Sequence, residues 1–111
     1  MDVFARLIKL KPGSRSRVRE WADTMNARRP EALETLRDER VELETWFSLS
    51  LESDDYLICY MRAESLASAQ AVSASSSHPI DEIHQQFKVD TWVRGAGAVA
   101  TLLLDLDARG A

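Results

Sequence analysis

His84 has the most suggestive neighbourhood in this sequence. Asp81 lies three positions before it and Lys88 four after it, so a helix would set all three on one side. A carboxylate beside an imidazole fixes which ring nitrogen carries the proton and raises its basicity, as general-base catalysis requires. On that reading His84 and Asp81 are the candidate catalytic pair. On the plainer reading they are a helix histidine and a local salt bridge. Arg6, Glu44, Trp46 and Tyr60 make a second group, expected on one face of a sheet. Aromatic walls with one cation and one carboxylate suit a small-molecule ligand. They equally suit a subunit interface in which Arg6 pairs with Glu44.

Other chemistries find little support. His78 precedes Pro79 and reads as a helix-start residue. It lies six residues from His84, a spacing that does not bring both to one helical face. With a single cysteine, Cys59, and no His-x-x-x-His, neither a structural metal nor an internal disulfide is expected. Pro12-Gly13-Ser14 is too short for a phosphate loop, and Gly95-x-Gly97 lacks the rest of a dinucleotide fingerprint. No bound cofactor is therefore expected. Haem on a histidine is the weakest reading, with only two histidines to offer. Arginines and lysines crowd the first third, but without interleaved aromatics, and the net charge is −4. Nucleic acid is thus not the expected partner. The start of the chain does not resemble a signal peptide, and no apolar run approaches the roughly 18 residues of a membrane span. A cytoplasmic protein without membrane partners is the expectation.

The elements that must position these residues follow from periodicity. Val3–Leu10 reads as a strand stopped by Lys11-Pro12-Gly13, with Ser14 as a helix cap. Val18, Trp21, Ala22 and Met25 form one helical stripe, and Pro30 starts a second short helix. Val41–Leu51 alternates with period two, turns at Glu52–Asp55 and returns as Tyr56–Arg62. Ala63–Ser75 reads as a helix, with a break at Ser73–Ser77. The helix after Pro79 carries Ile80, Ile83, His84 and Phe87 on one stripe. Gly95-Ala96-Gly97 reads as a flexible turn, Val99–Leu106 as the last strand and 107–111 as a loose tail.

This strand–helix–strand–strand–helix–strand order is that of an α+β, ferredoxin-like βαββαβ sandwich, one domain over residues 1–111. A four-stranded antiparallel sheet would carry its helices on one face. Alternation assigns Val3, Ala5, Leu7, Val41, Leu43, Phe47, Leu49, Leu57, Cys59 and Met61 to the helices. It leaves Phe4, Arg6, Ile8, Glu44, Trp46, Ile58 and Tyr60 on the open face. An apolar face of that kind is expected to pair with a second copy, giving a homodimer.

The phrases Leu-Lys-Pro-Gly (10–13), Tyr-Leu-Ile-Cys-Tyr-Met-Arg (56–62) and His-Pro-Ile-Asp-Glu-Ile-His-Gln-Gln-Phe (78–87) resemble an uncharacterised bacterial family. That family is similar to the dimeric α/β-barrel superfamily. The resemblance implies the ferredoxin-like fold and dimer but no reaction. The superfamily spans cofactor-free monooxygenases, sugar mutarotases, haem enzymes and stress-response proteins. Two functions stay open. One is a protein that binds or transforms a small organic molecule without a bound cofactor. The other is a non-catalytic homodimeric regulatory or stress-response module.

Overall fold

In a computed structural model, which describes residues 1–109, eight elements follow one another. They are β1 (Asp2–Leu10), α1 (Arg15–Ala27), α2 (Arg29–Glu39), β2 (Val41–Leu51), β3 (Asp54–Ala63), α3 (Leu66–Ala74), α4 (Pro79–Thr91) and β4 (Trp92–Val99). The four strands form one antiparallel sheet in the order β2-β3-β1-β4. All four helices lie on one face. Ser65 caps α3 by accepting from the Ser68 amide. Ser14 does not cap α1 as expected; its hydroxyl turns back to the Lys11 carbonyl at 2.6 Å and closes the strand-to-helix turn.

The core is two clusters and not one. Ile8, Leu10, Trp21, Leu57, Cys59 and Phe87 join β1, β3, α1 and α4. Val41, Ala63 and Ala69, with Leu36 and Met61 against them, join β2, β3, α2 and α3. Phe87 and Ile8 are fully buried, each worth about 1.5–3 kcal/mol of apolar burial. Between the clusters the helices stand off the sheet.

Two strands turn opposite faces from those expected. Arg6 pairs with Cys59 and Ile8 with Leu57, so Phe4, Arg6, Ile8 and Leu10 face the helices. Trp46 also pairs with Cys59, which sets Glu44 and Trp46 on that same face. Val3, Ala5, Leu7, Phe47 and Leu49 face away, beside Ile58 and Tyr60. The cause in β2 is a bulge: Val41 pairs with Ala63 but Leu43 with Arg62. Val41 is therefore buried under the helices while the rest of the strand has slipped by one residue, which reverses every side chain after it.

The last strand also differs. β4 is Trp92–Val99, and Gly95 and Gly97 are part of it with φ of 72° and 106°. At Gly97 a Cβ would overlap the Leu7 carbonyl oxygen, so only glycine permits β4 to close on β1. Residues 100–106, where a strand was expected, have no regular structure. Buried Arg62 holds this stretch through a two-pronged bond to Asp105 at 2.7 and 3.1 Å. Arg109 binds Asp107 and Glu42; Gly110 and Ala111, the end of the expected loose tail, lie outside the described residues.

Candidate site in the cavity between helices and sheet

The gap between the two core clusters is a cavity of about 1110 Å³ open to solvent. Arg6, Glu44 and Trp46 reach it from the sheet, and His84 and Lys88 from α4. Trp92, at the junction of α4 and β4, lines it as well. Arg6, Glu44, Trp46, Asp81 and His84 are thus brought around one space. Tyr60 is not: it pairs with Ala5 and Thr45 on the opposite face of the sheet.

His84 is held by aromatic rings. The Trp21 indole N–H donates to His84 Nδ1 at 3.0 Å, and the two rings stack with centroids 5.6 Å apart. Trp46 meets the imidazole edge-on at 5.6 Å. Burial and the nearby Lys88 charge push its pKa down to about 3. The ring is therefore neutral, and with Nδ1 accepting, Nε2 must carry the proton. His84 presents a hydrogen-bond donor to the cavity, not a free base.

Asp81 does not orient it. The Asp81 carboxylate accepts from the Ser76 hydroxyl at the start of α4, and among the described residues no hydrogen bond links it to His84. The partner that fixes the tautomer is Trp21. One signal for this was present in the sequence. An indole N–H on a buried helical stripe needs an acceptor, and His84 lies on the facing stripe of another helix.

The rest of the cavity is rich in charge. Arg6 and Lys88 both lie over the Trp92 ring, 5.4 and 5.1 Å from its centroid. Burial pulls the Lys88 ammonium below its ordinary pKa, while Glu44 pulls it back up. Burial raises the Glu44 carboxyl, against the Trp46 indole and Lys88. Glu39, at the end of α2, is pushed up to about 7 by burial and by the neighbouring Asp81 and Glu44 charges. A carboxyl of that pKa can give or take a proton near neutrality. Glu39 carried no signal in the sequence, because its approach to the others is made by the packing of α2 on the sheet. His78 lines a second, smaller pocket of about 200 Å³, where its Nε2 meets Asp38 at 2.8 Å and ties α4 to α2.

Among the described residues no group of three or more His, Cys, Asp or Glu could hold a metal ion. No described helix is long and apolar enough to cross a membrane. Fold and cavity together define a small α+β protein with a hollow under its helices, walled by aromatic and aliphatic side chains with a few charged groups among them. The chain belongs to the family of unknown function DUF6176, whose match covers residues 1–109. No curated protein and no solved structure matches it.

Proposed function

We propose that this protein binds or transforms a small organic molecule in the cavity between helices and sheet, without a resident cofactor. The observation that carries the reading is the cavity itself. A domain of this size ordinarily fills its core at crystal-like density. Here the space is kept open and walled by Trp46, Trp92, His84, Arg6 and Glu44. The volume matches that of ligand sites, which run to about 1,000 Å³.

The same reading takes the fold as a ferredoxin-like sandwich of the dimeric α/β-barrel type. The strand order, read from the other edge as β4-β1-β3-β2, supports it. It takes the open sheet face as the contact between two copies. Phe47 is 55% exposed there, and Leu49, Leu51 and Leu43 are exposed beside it. Leaving such a face in water favours a partner surface. Tyr60 then belongs to the contact and not to the ligand. This apolar face also favours the second reading, a dimeric regulatory or stress-response module, and a dimer with a working cavity satisfies both.

A panel of small aromatic acids, amides and alcohols tests the cavity. The indole N–H signals of Trp21, Trp46 and Trp92 are followed by nitrogen-labelled NMR. At least one compound should shift all three saturably, and Ala69→Phe, which fills the cavity from α3, should abolish the shifts. If no member of the panel moves these signals, the cavity is not a ligand site and the module reading is preferred.

A further inference from the structure

We propose that the cavity selects a flat organic anion, whose carboxylate or enolate oxygen is received by His84 Nε2–H, Lys88 and Arg6 beside the Trp92 ring. This rests on the reading of the cavity as a ligand site and adds the class of ligand.

The first observation is a surplus of donors. Arg15, Arg17, Arg28, Arg40, Arg62 and Arg109 each hold a carboxylate at 2.5–3.5 Å. The arginines without such a partner elsewhere, Arg19, Arg29, Arg37 and Arg94, are exposed to water. Arg6 and Lys88 fit neither group. Both are half-buried, both line the cavity, and among the described residues neither makes a side-chain hydrogen bond or ion pair. Half-buried cations lacking a partner are costly unless a counter-ion arrives.

The second observation is the tautomer. Because the Trp21 indole occupies Nδ1, His84 can offer the cavity only an N–H. The third is Trp92, whose Nε1 is buried and has no acceptor. The cations and the imidazole N–H thus stand near the Trp46–Trp92 wall, whose ring centroids are 6.2 Å apart. The carboxyls in the cavity do not cancel them. Glu44, Glu39 and Asp81 share the cavity, yet among the described residues none of them closes to ion-pairing distance on Arg6 or Lys88, and burial raises the Glu44 and Glu39 carboxyls. The walls dictate the shape of the ligand. Trp21, Trp46, Trp92 and His84 offer ring faces and edges, which favour a planar, conjugated body. A conjugated carboxylate and an enolate share that body and the charged oxygen, and both are acceptors for the same donors.

The test compares 2-naphthoate with 2-naphthamide, which has the same shape and no charge, by titration against the three indole signals at pH 7. The acid should bind at least about tenfold more tightly, the value of one charge-assisted hydrogen bond. Lys88→Met keeps the apolar stem over Trp92. It should remove most of that preference by costing the acid far more affinity than the amide, and Arg6→Met should do the same. His84 nitrogen shifts should report Nε2–H with an unprotonated Nδ1, and acid binding should tighten, not weaken, as pH falls from 8 to 5, because Glu39 takes up its proton near 7 while His84 stays neutral. Equal affinity for acid and amide overturns the anion proposal but leaves the ligand site standing. An acid preference that survives both substitutions also overturns it. Binding of neither compound, with no response to the wider panel, overturns the ligand site as well.

Discussion

On the helix-covered face of the sheet, Arg6, Glu44 and Trp46 stand around a hollow; one residue along, on the opposite face, Ala5, Thr45 and Phe47 look outward. Between its two buried clusters the covered face carries a cation and a carboxylate beside the hollow, while the uncovered face exposes Leu43, Phe47, Leu49 and Leu51. This departs locally from the usual arrangement of an antiparallel sheet packed on one side, apolar within and polar without. It follows if the covered side is arranged around something that enters, and the bare side around another protein surface. Each face can be perturbed without touching the other, because alternate residues of one strand serve the two.

The largest effect is expected on the bare face. Phe47→Asp should weaken the proposed dimer by roughly a hundredfold or more, since a carboxylate would be desolvated at the contact. Sedimentation at micromolar concentration reads this, and ligand-induced indole shifts should persist in the resulting monomer. A wild-type protein that is already monomeric at that concentration would remove the dimer from the comparison.

On the covered face, Trp21→Phe keeps most of the ring but deletes the N–H given to His84. A loss of about 1–3 kcal/mol in urea unfolding is expected, as for a buried acceptor left without its donor. The His84 tautomers should then mix, visible in its nitrogen shifts. An unchanged tautomer would show that something other than Trp21 sets it.

The acid–base behaviour of the cavity gives a smaller effect with two opposite signs. Glu39 keeps its proton up to about pH 7 in the folded chain, against an ordinary value of 4.5. Between those values the folded state binds more protons than the unfolded one, so the Glu39 contribution to stability falls as pH rises. Glu39→Gln should therefore raise the melting temperature above pH 7 and make no difference below pH 4.5. His84 is neutral in the fold down to about 3, whereas the unfolded chain protonates it near 6.5. Its contribution is complete above pH 6.5 and is lost as pH falls toward 3. His84→Gln should flatten that acid limb of the melting curve.

The smallest effect concerns Cys59, which lies under the helices with its thiol pushed up to about 12 by burial. Thiol reagents should label it slowly in the native protein and quickly in urea. Rapid native labelling would mean that the covered face opens readily.

The order and kinds of elements were legible because hydrophobic period, proline and serine all mark the same boundaries. The faces were not, except in β3. In β1 both parities are apolar, Val3, Ala5 and Leu7 against Phe4, Ile8 and Leu10, so alternation carries no direction. In β2 the bulge after Val41 breaks the count at its start. Arg6, Glu44 and Trp46 stayed together because these two strands are reversed as a pair. Tyr60, on the strand assigned correctly, is the one that separates. The last strand misled because Val99–Leu106 has the better strand composition, whereas Trp92–Val99 has the glycine that fits against Leu7.

The place of β1 in the sheet has a consequence for how the chain is made. β1 is central, bonded to β3 on one side and to β4 on the other. The β2–β3 hairpin can close as soon as it is synthesised, since its strands are neighbours in sequence. β1 emerges first and must wait some fifty residues for one partner and about ninety for the other. Until Trp92–Val99 arrives, one edge of β1 has no partner strand, and α4 lacks the strand that continues it. On the ribosome the nascent protein thus passes through a stage with an open strand edge, the state most prone to pairing with the wrong neighbour.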